Sequence, residues 1–307
     1  MSYNLQISNG ESSVFTDIIS TVFTTATYEM EQLRPYFTDY SGFLSGSGRV
    51  VQVPVMPKIN VAGHTDGTTV SPTNPTINNV DINTSIYAGR IDITDYFEAT
   101  SEVAIAQWAG RELARGYMEE FETVLAAAFD GFDSDSALVP GDYTDQQFDN
   151  TVASPDVKAV INDARTNLRR GRVFGDYFGV LPVNVFDSLR DQLTALTGGD
   201  ITNVGNQVLL EGNNAGAANF KPGMIKLFGV SLMDCSVLPA TGIGGVGTGE
   251  VGAFFAREAL GYAEKRTPTL EVGRVTGELA DRIVLSGMFG ASVVDNRYGY
   301  KVNFQLS

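Results

Sequence analysis

Apolar residues first fall into step at Val51, Val53 and Val55, which alternate with Gln52, Pro54 and Met56 as a half-covered strand would. The pattern then lapses. Through SGSGRVVQVPVMPKINVAGHTDGTTVSPTNPTINN, residues 45–79, three more prolines and two glycines follow with few apolar residues. A loop this long inside a compact domain is uncommon unless it is functional. Alternation returns at Val80, Ile82, Thr84 and Ile86, and again at Ile91 and Ile93 between Arg90, Asp92 and Thr94. The two runs predict a long antiparallel arm of two strands. A lone hairpin is marginal in water, so the arm needs a neighbouring surface.

The period then changes from two to 3.6. In TSEVAIAQWAGRELARGYMEEFETVLAAAFDGF, Ala106, Gly110, Leu113/Ala114, Tyr117, Phe121, Val124/Leu125 and Ala128 recur at helical spacing, with Glu112, Glu119, Glu120 and Glu122 elsewhere. Thr100 or Ser101 supplies an N-cap and Gly131 a stop. A helix over 101–129 would span roughly 43 Å.

Before these elements, 13–28 reads as a short helix and Arg34-Pro35 as a break, so 1–44 is an arm that packs across something else. After them, 130–155 is acidic and turn-rich. A helix then runs from Asp156 to Arg169-Arg170 with Gly171 as its stop, a strand covers 177–181, and Pro182 opens a helix to about Leu196. Two short strands about Gly229 occupy 224–238. The stretch 253–263 is mixed, with a helix around 257–260. Val302, Phe304 and Leu306 alternate with Lys301, Asn303 and Gln305 in a closing strand.

Composition admits one large domain or two ordinary ones: 307 residues, 43% hydrophobic and 19% charged. No uncharged apolar run reaches membrane-spanning length, and MSYNLQISNGE lacks the basic and apolar regions of a secretory signal. Charge changes the picture more. Residues 1–150 hold 21 acids and 6 bases, so the net charge of −15 lies wholly in the first half. Such a surface repels nucleic acid.

Candidate chemistry is sparse. His64 is the only histidine and Cys235 the only cysteine, which leaves no zinc-type ligand set and no internal disulfide. There is no G-x-S-x-G nucleophile elbow. Gly247, Gly249 and Gly252 spell G-x-G-x-x-G, with Glu271 further on, but that motif binds dinucleotides only where it opens a helix after a parallel strand. Six glycines within 241–252 read instead as a glycine-rich loop. No catalytic residue, cofactor or metal is expected.

The order of these parts resembles the HK97-like major capsid proteins of tailed bacteriophages. RVVQVPVM with AGHTDG looks like the rising strand and turn of that family's extended loop. GRIDITDYFEATSEVAI looks like the return strand entering its spine helix. GMIKLFGVSLMDCSVLP is similar to its paired short strands, and AFFAREALGYAEKR with RIVLSGMFGASVVDNRYGYKV to its closing portion.

The resemblance implies an α+β fold with an N-terminal arm (1–44), an extended loop (45–82), a peripheral domain with the spine helix (83–150), an axial domain (151–252) and a return to both sheets (253–307). It implies a homo-oligomer, hexamers and pentamers of an icosahedral shell, assembled in a host cytoplasm into a virion capsid around DNA bound without sequence specificity, with no membrane. Scaffolding, portal and cement proteins are the implied partners. Val51, Val53, Val55, Lys58, His64 and Asp66 become inter-subunit contacts, with the valines covered by the adjacent copy. Glu112, Glu119, Glu120 and Glu122 become acids of an interior face. Some members cross-link a loop lysine to an asparagine near the closing sheet; Lys58 and Asn296 are the residues to consider, in sequence that otherwise does not match. An encapsulin-like compartment shell and a dinucleotide-dependent enzyme are the alternatives.

Overall fold

The computed structural model describes residues 32–44, 48–55, 77–94, 105–132, 146–149, 157–195, 225–243, 246–275 and 277–305. The first elements are β1 (Thr38–Asp39), β2 (Val50–Val55), β3 (Asn78–Asn83), β4 (Ser85–Thr94), α1 (Ile105–Ala127) and β5 (Gln146–Asp149). A helix–strand–helix run follows, α2 (Val157–Arg170), β6 (Tyr177–Pro182) and α3 (Val183–Ala195). Strands dominate the rest: β7 (Ile225–Leu227), β8 (Val230–Cys235), β9 (Ala240–Ile243), β10 (Val246–Ala256), β11 (Leu260–Val275), β12 (Ala280–Val293) and β13 (Gly299–Gln305). Packing divides the chain into two units. One comprises Met1–Val51, Ile82–Ala126 and Gly261–Ser292; the other comprises Gln52–Asp81, Ala127–Leu260 and Val293–Ser307.

The first unit lays α1 on one face of a four-stranded sheet ordered β1-β11-β12-β4. Helical spacing buries Leu113, Ala114, Tyr117, Met118, Phe121 and Leu125, while Arg111, Glu112, Arg115, Glu119 and Glu120 stay exposed. Tyr117 packs edge-on against Phe289 with centroids 5.6 Å apart, and Phe121 meets Phe289 at 4.8 Å and Tyr262 at 6.2 Å. Removing one such side chain from water contributes about 1.5–3 kcal/mol. A Cβ on Gly287 would lie 2.5 Å from the Tyr117 hydroxyl, so the helix comes this close only because that position has no side chain. The helix tightens into a 3-10 turn at Ala128–Gly131; residues 100–104, including the expected N-cap, lie outside the described residues.

β2 and β3 form a separate two-stranded sheet. Thr84 closes its base, donating both its backbone N–H (2.9 Å) and its hydroxyl (2.8 Å) to the Arg49 carbonyl. The expected alternation breaks there. Ile82 and Thr84 are buried but Ile86 is 65% exposed, because the chain leaves β2 at Thr84 and pairs next with β12, Ile86 opposite Met288.

The second unit is built on a seven-stranded sheet ordered β5-β13-β10-β6-β8-β7, with β9 paired to β10. α2 and α3 supply Ile161, Leu168, Val185 and Leu189 to a core with Leu181, Leu232, Phe254, Val302 and Phe304. Gly171 donates its N–H to Asn167 at 2.9 Å as the expected helix stop, and β7 and β8 turn about Gly229, at φ 79°.

Three expectations are changed in this unit. The glycine-rich stretch is two paired strands, β9 and β10, so the expected boundary at residue 252 falls inside β10. The helix expected around 257–260 is a single 3-10 turn, Arg257–Ala259, between the long strands β10 and β11. Asn303, expected on a solvent face, is 0% exposed, because β13 lies between β5 and β10 and the face opposite α2 is covered too. On that second face Phe129 stacks with Phe255 at 5.6 Å, and Phe132 lies against Gly299.

Gly252 is a packing glycine. Its Cβ would stand 2.4 Å from Cε2 of Phe304 and 2.6 Å from the Val180 carbonyl oxygen. Gly252→Ala should therefore destabilise the subunit by about 1–3 kcal/mol. Gly273→Ala, where a Cβ meets nothing within 4 Å, should change little. Urea unfolding of unassembled subunits checks this, and equal midpoints for the two variants would contradict it.

Candidate assembly surfaces

No group of three or more His, Cys, Asp or Glu side chains converges among the described residues, and no described helix is long and apolar enough to cross a membrane. Cys235 is buried in β8 as packing, and His64 lies outside the described residues. The G-x-G-x-x-G glycines belong to β10, which is antiparallel to both β6 and β13 and is followed by a 3-10 turn and another strand. A dinucleotide site would need a helix N-terminus there to meet the pyrophosphate.

The surface residues repay closer attention. Val51, Val53 and Val55 alternate as expected, but each is already buried in the single chain, at 2%, 8% and 6% exposure. Their side chains need no adjoining copy to leave water, which corrects the expectation that a neighbour covers them. Val50, Gln52 and Pro54 point outward instead. Lys58 and Asp66 lie outside the described residues. Asn296 begins a 3-10 turn, Asn296–Tyr298, beside Asp295, whose carboxylate accepts from the Arg297 backbone N–H at 3.0 Å.

The acids of α1 divide. Glu112, Glu119 and Glu120 are exposed on one side of the helix. Glu122 is buried at 6% exposure and is no surface acid. Its Oε1 accepts from the backbone N–H groups of Gln32 (2.9 Å) and Leu33 (3.1 Å), and its Oε2 accepts from Leu33 at 3.0 Å. These amides open the 3-10 turn Arg34–Tyr36, so a carboxylate from another element caps it.

The anchoring continues along the arm. Arg34 donates from Nε to the Tyr262 hydroxyl at 3.1 Å and pairs with Glu264 at 3.4 Å, and its guanidinium lies 5.8 Å from the Phe121 ring centroid and 5.3 Å from that of Tyr262. Thr38 and Asp39 then run parallel beside Gly261 and Tyr262, and the Glu264 N–H donates to Ser41 Oγ at 2.9 Å. Glu122 and Arg34 were both missed in the sequence. A signal existed: Glu122 stands four residues after Met118 and three before Leu125, on the apolar side of the helix.

The sheet face away from α1 is polar and partly apolar. Asp92 lies between Arg90 (Nε–Oδ1 2.9 Å) and Arg282 (Nε–Oδ1 3.0 Å), whose hydrogen bonds, Arg90's foremost, hold its carboxyl well below the usual carboxylate range. Ile86 stands on the same face.

Glu122→Ala should leave the buried amide of Leu33 and the part-buried amide of Gln32 without an acceptor and cost about 1–3 kcal/mol. Glu122→Gln, which keeps one acceptor oxygen, should cost less. Urea unfolding with limited proteolysis of residues 32–44 checks this; wild-type stability and protection in the alanine variant would contradict it.

No protein-family model matches the sequence, and no curated protein matches it. Solved structures do match. A chain from Mycobacterium phage Che8 is similar at 18% identity and a TM-score of 0.64, over 99% of this chain and 95% of that one. The mature capsid of bacteriophage PhiM1 aligns at 15% identity and 0.62, over 90% and 88%. The capsid of cyanophage Pam1 aligns at 11% identity and 0.63, over 90% and 92%. Nearly the whole chain therefore shares the fold of phage capsid structures.

Proposed function

We propose that this chain is the major capsid protein of a tailed phage, with the HK97-like fold, and that copies of it form the icosahedral shell around double-stranded DNA. One observation carries the reading: the likeness to capsid structures is nearly end to end, at 90% and 92% coverage for the cyanophage Pam1 capsid and 90% and 88% for the PhiM1 capsid, rather than confined to a shared module. Hexamers and pentamers are its capsomers, and scaffolding and portal proteins its partners during assembly in the host cytoplasm. The first unit corresponds to the peripheral domain with α1 as spine helix, and the second to the axial domain. The extended loop, residues 45–82, meets adjoining copies, with the outward Val50, Gln52 and Pro54 of β2 among its contacts.

Exposed Glu112, Glu119 and Glu120 support an interior role for that side of α1. An acidic wall repels phosphates and lets packaged DNA slide past.

Negative-stain imaging of the purified protein, with extraction of the particle contents, tests the proposal. Closed icosahedral particles that hold DNA when recovered from infected cells are expected. Particles that enclose a protein cargo would replace it with a cellular compartment shell. Soluble subunits that form no particle under any condition would overturn it. Separately, reversing Glu112, Glu119 and Glu120 to Lys should make shells retain DNA with a steep salt dependence. Unchanged DNA retention would remove the interior assignment.

A further inference from the structure

We propose that the C-terminal cap of α2 and the turn beside it form a contact surface for a second copy of this chain, made by Arg169, Arg170, Arg172, Phe174 and Phe228. The proposal rests on the shell reading and names a partner surface within it. β6 and β8 are parallel neighbours, with Tyr177 opposite Val230. The segment that leads into β6 and the turn that leads into β8 therefore emerge side by side at one end of the sheet. Both present aromatic rings to solvent: Phe174 is 85% exposed and Phe228 44%.

Neither ring sits on a loose tether. Val173, next to Phe174, is 1% exposed; its N–H donates to the Leu168 carbonyl at 3.1 Å, and its own carbonyl accepts from the Tyr177 hydroxyl at 2.5 Å. Arg172 (φ 61°) and Phe228 (φ 52°) occupy the left-handed region that favours glycine, although Gly171 and Gly229 stand one residue away. The tight turn of the β7–β8 hairpin requires positive φ at both Phe228 and Gly229, so Phe228 holds a turn position that glycine or asparagine ordinarily fills.

The charge on this surface identifies the occupant. Arg169, Arg170 and Arg172 are exposed, and none has an acid partner among the described residues. A helix C-terminus favours cations, which accounts for Arg169 and Arg170 but not for Arg172 beyond the helix or for Phe174. Arginine beside a rigid aromatic is the combination that dominates binding energy at protein interfaces. Double-stranded DNA offers a phenyl ring no exposed base to stack on. A second copy, with 36 acids against 21 bases, offers both negative charge and apolar area.

The test compares assembly of wild-type protein with two variants, Phe174→Ala and the pair Arg169→Glu with Arg170→Glu. Unassembled variants should melt as wild type does by circular dichroism, since the altered side chains are exposed. Each should raise the protein concentration needed for half-maximal particle formation at least tenfold, and added salt should weaken assembly of the wild type more than of the charge-reversed pair. Should charge reversal lower the melting temperature, Arg169→Gln with Arg170→Gln carries the same comparison. Variants that assemble at the wild-type concentration would overturn the proposal, as would normal assembly with loss of DNA retention, which would make the patch a phosphate contact. Wild-type protein that never assembles would sink the shell reading instead.

Discussion

The first unit depends on how closely one helix lies to one sheet. Tyr117 occupies the space that Gly287 leaves empty, and that approach brings Phe121 onto Phe289 and Tyr262. With the helix at this height, Glu122 reaches the amides of Gln32 and Leu33, and Arg34 lies over the rings of Phe121 and Tyr262. Any side chain at residue 287 would lift the helix and loosen all of these contacts together. The arm is thus fastened to its own chain through the same contact that closes the core.

The outward residues of the described chain are mostly charged or polar. Carboxylates on α1 face solvent without converging on one another. The exposed apolar groups include Ile86 on the sheet of the first unit, and Phe174 with Phe228 at one end of the sheet of the second.

Periodicity was a good guide wherever one face of an element meets a core and the other meets water. The spacing of Leu113, Tyr117, Phe121 and Leu125 foretold α1, and the alternation of Val51, Val53 and Val55 foretold β2. It failed where that condition lapses. Asn303 is interior because its strand is covered on both faces, which no alternation reveals. Ile86 is exposed because the chain changes partner strands at Thr84. The glycines of 246–252 suggested a loop, yet β10 is central to its sheet and Gly252 is small because Phe304 fills its place. Most instructive is Glu122: its charge marked it as surface, and only the amides of a segment some ninety residues earlier make its burial sensible. The order of elements conveyed the likeness to capsid chains; the contacts that fasten the arm had to be seen.

On the proposed function, copies of this chain tile a closed shell. Sedimentation velocity of the purified protein over a range of micromolar concentrations tests that most directly. The account predicts two populations in exchange or sequence: a species of 33.0 kDa or a small capsomer, and a single sharp boundary of megadalton mass built from whole multiples of it. One boundary at 33.0 kDa under every concentration and salt condition would contradict it.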